Sequence, residues 1–285
     1  MSKLKLRVKL MIDALWGNIV KKFLGKHAYA IVAKTQEGLF AIDPEDMGVG
    51  KALLKYGSYG KNELTILQSY LTGKSKVLII GAHIGALVIP LAKTSKECVA
   101  IEANPETFEL LSTNLKLNEI SNCRAINIAA SNKNESLRFL MSRANSGGSK
   151  RAPLHADFRY YYDHPKEILV SAVCLDEYLS EDTFDMIVMD IEGSEYFALQ
   201  GMQKILSKSM ALQVEFLSHH LKNVSGTNVD RFLSLITPHF STLTIPSRSV
   251  KVGQSEFLGV LNEIYTKEEG ADIIFVKDMP SKKCN

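Results

Sequence analysis

The chain has 285 residues, enough for one large α/β domain with additions. Apolar residues make up 46% and charged residues 23%, as in ordinary globular proteins, and a net charge of +3 is too weak to argue for nucleic acid. No apolar run reaches the length of a membrane span, and the four cysteines (Cys98, Cys123, Cys174, Cys284) show no metal spacing and suit a reducing cytoplasm.

Charge is unevenly spread. Residues 1–26 carry Lys3, Lys5, Arg7, Lys9, Lys21, Lys22 and Lys26 against Asp13 alone, a local +6 that leaves −3 for the rest. This interleaving of cations and apolar residues is not that of a signal peptide. From Leu10 to Leu24, Met11, Leu15, Trp16, Ile19, Val20 and Phe23 follow helical spacing. The favoured expectation is a helix packed on the domain or on a dimer partner. A basic amphipathic helix lying on an anionic membrane is the alternative.

Tyr29–Thr35 and Leu39–Ile42 read as strands around Gln36-Glu37-Gly38, a hairpin signal. Lys51–Tyr56 and Asn62–Leu71 read as helices. The rhythm then changes to strand Val77–Ile80, helix Ile84–Lys93, strand Cys98–Ile101, helix Pro105–Asn118 and strand Ala125–Ile128. Such alternation predicts a parallel sheet covered on both faces. Leu137–Met141 and Val170–Val173 read as extra strands around an irregular stretch, 142–165. A short helix at Asp176–Leu179, a buried strand at Phe184–Met189, a helix at Glu195–Leu206 and a strand at Ala211–Phe216 follow. Ser241–Ile245 and Ile273–Val276 are expected to close the sheet as an antiparallel hairpin. The expected division is 1–72, holding the N-terminal helix, hairpin and lead-in helices, and 73–285, holding the main domain.

Gly81-Ala82-His83-Ile84-Gly85 joins a strand to a helix. Glycine there lets a ligand approach the backbone, and ligands of doubly wound sheets sit beyond the strand ends. Glu102 ends the next strand, where an acid can accept hydrogen bonds from both hydroxyls of a ribose. Together these features predict a nucleoside-containing ligand. A dinucleotide fingerprint wants G-x-G-x-x-G, but residues 81–86 read GAHIGA, with His83 where room for a pyrophosphate is needed. S-adenosylmethionine (SAM) has no phosphate, so the pattern favours SAM over NAD.

Residues 184–201 read FDMIVMDIEGSEYFALQG, a buried strand that delivers Asp190 to the sheet edge, with Glu192, Gly193 and Glu195 behind it. With VLIIGAHIGALVIPLAK, VAIEANPETFELLSTNLKLN, VCLDEYL and LQVEF, this stretch resembles the FkbM family of SAM-dependent methyltransferases. The resemblance runs from about residue 40 to 218. It implies a class I methyltransferase (Rossmann-like) sheet of seven strands, the last antiparallel, here with an N-terminal helical and hairpin extension. It also implies that Gly81, Ala82, His83 and Gly85 form the SAM turn. Glu102 would be the ribose acid, followed by Ala103 and Asn104. Ala129-Ala130-Ser131 would lie near the adenine, and Asp190 and Glu192 near the methyl-transfer site. Tyr59 and Glu63 match the family's lead-in. The family turn usually reads Asp-Val-Gly-Ala-Asn-Ile-Gly; here Ile79 replaces the aspartate and His83 the asparagine.

A hydroxyl acceptor needs a group to take its proton. Candidates are Asp190, Glu192, Glu215 and His219, with His220 beside it. No full metal-ligand set is legible, so no metal is assigned. Arg143, Lys150, Arg151 and Arg159 in the irregular stretch are expected to attract an acidic or sugar-phosphate substrate, and Tyr160–Tyr162 to stack on a ring. The expected activity is O-methylation of a small-molecule or glycan hydroxyl, in the cytoplasm, without a nucleic-acid partner and with a homodimer possible. N-methylation of a peptide or sugar amine is one alternative. A non-catalytic SAM-binding scaffold, suggested by Ile79, is the other.

Overall fold

A computed structural model describes residues 3–25 and 27–277; Lys26 and Cys284 lie outside the described residues. Helix α1 spans Lys3–Leu24. The hairpin β1 (Ile31–Lys34) and β2 (Leu39–Ile42) follows, then α2 (Val49–Tyr56) and α3 (Lys61–Ser69). The alternating part is β3 (Lys76–Ile80), α4 (Val88–Thr94), β4 (Glu97–Ile101), α5 (Pro105–Leu117) and β5 (Cys123–Ile126). Next come β6 (Ala129–Ser131), β7 (Glu135–Met141), β8 (Lys150–Arg151), α6 (Phe158–Tyr161), β9 (Lys166–Cys174) and α7 (Leu175–Tyr178). The chain returns through β10 (Met186–Met189), α8 (Glu195–Gln200), α9 (Gln203–Lys208), β11 (Ala211–Leu217), α10 (Ser218–Asn223) and α11 (Val229–Ser234). It closes with β12 (Thr242–Ile245), β13 (Val250–Gly253), α12 (Phe257–Thr266) and β14 (Gly270–Val276).

The main sheet runs β13-β12-β14-β11-β10-β3-β4-β5. Strands β5, β4, β3, β10 and β11 are parallel, and β14 is antiparallel to both its neighbours, as expected. Val77–Ile80 of β3 and MIVM of β10 are apolar and buried on both faces, so helices must cover both sides of the sheet. The two resulting cores are separate clusters of buried side chains. A second sheet, β6-β9-β7-β8, stands beside it and buries its own small cluster.

Four details differ from the sequence reading. The main sheet has eight strands among the described residues, not seven, because Ser249 (φ 54°) reverses the chain and adds β13 to the edge beside β12. β12 and β14 do pair, but β13 and α12 intervene, so they are not a hairpin. The helix expected from Ile84 begins only at Val88, because His83 (φ 50°) and Gly85 (φ 92°) hold left-handed conformations that a right-handed helix excludes. The helix expected over Glu195–Leu206 splits at Gly201, where a Cβ would lie 2.0 Å from the Ser131 carbonyl oxygen.

The hairpin is held to the main domain by two asparagines one helical turn apart, Asn114 on α5 and Asn118 at its C-cap. Asn118 accepts from Leu39 N–H (2.9 Å) and donates to Leu39 C=O (2.6 Å). Asn114 accepts from Ala41 N–H (2.6 Å) and donates to the carbonyls of Ala41 (3.1 Å) and Ile84 (2.8 Å). Alternate residues of a strand offer their backbone groups to the same edge, and two residues span about 6.6 Å, close to the 5.4 Å pitch of a helix. The side chains thus close the free edge of β2 as a neighbouring strand would. Asn114 is fully buried. Asn114→Leu should orphan three backbone groups and cost about 2–4 kcal/mol in a urea unfolding titration. A cost below about 1 kcal/mol would show that water or another donor replaces it.

Candidate active site

The turn after β3 is strapped to the end of β4. Gly81 and Ala82 N–H both donate to Ile101 C=O at 2.9 Å, and His83 N–H donates to Glu102 Oε2 at 2.8 Å. Glu102 Oε1 accepts from Asn104 N–H at 2.8 Å. Burial pushes the Glu102 carboxyl up, while His83 and these N–H groups pull it back. Gly81 has φ 89°, and a Cβ there would sit 1.7 Å from the Asp190 carbonyl oxygen. His83 Nε2 lies 2.7 Å from Ser146 Oγ, which donates to Asp46 Oδ2 at 2.9 Å. His83 Nδ1 is buried without a partner among the described residues.

A cavity of about 310 Å³ opens beyond the ends of β3, β4 and β10. Of the residues singled out from the sequence, Tyr59, Gly81, Ala82, His83, Glu102, Ala103, Ala129, Asp190, Glu192 and Glu215 line it. Ile101, Ile128, Leu137 and Phe139 add apolar walls, and Asn145–Gly147 a polar one. Ile79 also lines it, between Ala100 and Val188 in the sheet.

Five other candidates do not line this cavity. Gly85 faces the core, where a Cβ would meet Leu111 at 2.9 Å. Asn104 caps α5, its side chain accepting from the N–H groups of Glu106 and Thr107. Ser131 is fully buried, with Arg151 and Glu135 as neighbours. Glu63 Oε1 accepts from Gln213 at 3.4 Å, and burial pushes its carboxyl up to about 7. His219 belongs to a second cavity.

The D-x-E-G-x-E run folds as a clamped turn. Glu195 Oε1 accepts from Ile191 N–H (3.0 Å) and Gly193 N–H (3.2 Å), which closes the turn from inside. Burial pushes Glu195 up to about 7. Glu192 is held at φ 54°, a left-handed setting that residues with a side chain rarely adopt. Asp190 is open to the cavity but walled by protein elsewhere, and that wall raises its proton affinity well above the ordinary carboxylate range. Glu215 is raised likewise, by burial first and then by Asp190. The two carboxyls influence each other, so they titrate as a pair rather than as separate groups. Glu215 Oε2 has no partner among the described residues.

Glu192 faces the other way. Its Oε2 lies 2.8 Å from Lys150 Nζ and 3.2 Å from His220 Nε2, with Lys150 and His220 each about 4% exposed. This contact assigns the His220 proton to Nε2, leaving the Nδ1 lone pair without a described partner. Burial, then the Lys150 charge, hold His220 well below the ordinary histidine value, so its ring is neutral. Glu192, Glu215 and His220 also offer ligand atoms within 4.8 Å of one another, donors enough to begin a divalent-cation site.

The second cavity, about 380 Å³, is walled by Lys150, Tyr160, Tyr162, Glu192, His219 and His220, with Leu6 and Leu10 of α1 across from them. The cations expected to attract an acidic substrate are already matched: Arg143 to Glu45 (3.2 Å), Lys150 to Glu192 (2.8 Å), Arg151 to Glu135 (2.7 Å) and Arg159 to Asp157 (2.7 Å). Tyr160 is 1% exposed, so its ring cannot take a stacking partner; its hydroxyl lies 3.0 Å from His219 Nδ1. Burial lowers His219 to about 3. Two contributors were missed from the sequence, namely Asp46 and the Asn145–Ser146 turn; only their polar, turn-forming composition hinted at them.

A sequence profile described as the methyltransferase FkbM domain matches residues 80–239. No curated protein matches the chain. Among solved structures, methyltransferase FkbM from Methylobacillus flagellatus KT is 18% identical with a TM-score of 0.43, over 72% of this chain and 44% of that one. The present chain therefore spans less than half of that protein's length. An rRNA methylase from Streptococcus thermophilus is 14% identical with a TM-score of 0.44, over 76% of this chain and 95% of that one. Wild-type Trm5b from Pyrococcus abyssi is 12% identical with a TM-score of 0.46, over 89% and 58% respectively. The profile covers more than half of the chain, from the end of β3 through the Asp190 motif, and the chain belongs to the FkbM methyltransferase family.

Proposed function

We propose that this protein transfers a methyl group from SAM to a hydroxyl of a small-molecule or glycan acceptor. The observation that carries the reading is the meeting of two cavities at Glu192, one where Asp190 and Glu215 converge with no cation paired to them among the described residues and one walled by neutral histidines and tyrosines. SAM supplies a methyl group on a positively charged sulfur. The first cavity suits such a ligand: Glu215 Oε2 lacks a partner and Asp190 is open to the space. Glu102 would hold the ribose, since each of its oxygens keeps a lone pair after accepting one backbone N–H. Ile101, Ile128, Leu137 and Phe139 would flank the adenine. A bound sulfonium would favour the ionised forms of Asp190 and Glu215, which would then stand in for the acid that Ile79 replaces.

In the second cavity His220 is the candidate base. Glu192 orients its ring, and Nδ1, buried and without a partner among the described residues, would be the atom that takes a hydroxyl proton. A hydroxyl is favoured over an amine because burial and the charges of Lys150 and Arg159 keep both histidines neutral. The same surroundings disfavour a protonated amine. His220→Ala should lower turnover by about a hundredfold or more while leaving SAM affinity intact. Unchanged turnover removes His220 from the chemistry. If chelation abolishes turnover and magnesium restores it, Glu192, Glu215 and His220 hold a metal instead.

Two binding measurements complete the test. Calorimetry should detect SAM, and Glu102→Ala should weaken it about tenfold to a hundredfold through lost hydrogen bonds to a charged group. No heat of binding from the unmodified protein would end the SAM reading. The acids also set a pH dependence. Glu63 and Glu195 are raised from 4.5 to about 7, so the folded chain holds their protons more tightly than the unfolded chain. Their contribution to stability is complete below pH 4.5 and is lost as pH rises through about 7. The Tm of the ligand-free protein should therefore contain a fall between roughly pH 5 and 8 that Glu195→Gln reduces. A pH dependence unaltered by that substitution would mean that Glu195 is ionised throughout.

A further inference from the structure

Helix α1 has two faces. Its inner face packs on the protein: Leu6 and Leu10 wall the second cavity, and Gly17 lies so close to the Glu45 carbonyl that a Cβ would be 2.7 Å from it. Its outer face is mostly apolar and bare. Leu4, Val8, Met11, Leu15, Trp16 and Phe23 are between 49% and 90% exposed, and Ile12 and Ile19 continue the row. At 3.6 residues per turn these eight side chains fall within an arc of about 140°, with Lys5 and Lys22 among them, a stripe of apolar side chains and lysines turned away from the domain.

The charges around the stripe select its partner. Lys9, just beyond one edge, and Lys22, just inside the other, are exposed and make no ion pair among the described residues. The acid of the helix, Asp13, points to the other side and pairs with Lys51 at 3.4 Å. A second copy docked through the same face would bring lysines together with no acid between them. An anionic lipid surface satisfies both features, burying the stripe among acyl chains while the lysines reach the headgroups. No helix among the described residues is long and apolar enough to cross a membrane, so α1 would lie along the surface.

We propose that the outer stripe of α1, from Leu4 to Phe23 with Lys9 and Lys22 near its edges, seats the protein on an anionic membrane surface. The proposal does not depend on the transfer chemistry. The test is flotation of the full chain with vesicles of equal parts phosphatidylcholine and phosphatidylglycerol, beside vesicles of phosphatidylcholine alone. The full chain should float with the anionic vesicles and at least about tenfold less with the neutral ones. Leu15→Glu with Phe23→Glu should abolish flotation. Lys9→Glu with Lys22→Glu should remove the preference for anionic lipid. All of these side chains are exposed, so both variants should keep the circular dichroism spectrum and Tm of the parent. Failure of the parent to float overturns the proposal. So does equal binding of the Leu15→Glu, Phe23→Glu variant. A parent that fails to float but sediments as a dimer, with that variant a monomer, assigns the stripe to a second copy.

Discussion

The space that a side chain on Gly81 would need is filled by the carbonyl oxygen of Asp190. That contact joins the two halves of the sheet where its order reverses, between β3 and β10. A cavity forms at such a switch point because the loops leaving neighbouring strands turn to opposite faces. Here the two loops are the Gly81–Gly85 turn and the Asp190 motif, and only a residue without Cβ lets them touch. The strap from Glu102 to His83 and the clamp from Glu195 to Ile191 and Gly193 then fix each loop separately. Without the close approach they would be fixed in the wrong relation.

The electrostatics of the site run against the stability of the fold. Asp190, Glu195 and Glu215 all have their proton affinity raised chiefly by burial, and Glu63 beside them shares that cause. Carboxyls gathered without matching cations cost free energy that a core of the same volume would not. Such a departure from good packing is what a functional site shows. On the other side of the turn the same chain behaves conventionally: Lys150 answers Glu192, and the cations of the 142–165 stretch each find an acid.

The sheet was legible because its strands are short apolar runs ending in polar signals. Val77–Ile80 and Phe184–Met189 need no context to read as buried strands. Glu102 and Asp190 were legible for the same reason, since each ends such a run. Contacts between distant segments were not. Lys150 meets Glu192 across 42 positions, and Ser146 meets Asp46 across 100. Nothing local tells a buried lysine from a solvated one. Gly201 looked like an ordinary helix glycine, and only the approach of Ser131 from another sheet makes it a breaking point. His219 and His220 are neighbours in sequence, yet only His220 reaches Glu192, because successive helical residues point about 100° apart.

Glu192 borders both cavities. One carboxylate would therefore answer to an occupant of either. A ligand that draws on its charge from one side leaves less for Lys150 and His220 on the other, and the potential there shifts. Thermodynamic linkage makes such an effect reciprocal: by whatever factor the first ligand alters the affinity of the second, the second alters that of the first. The two cavities are thus not independent compartments but two sides of one carboxylate.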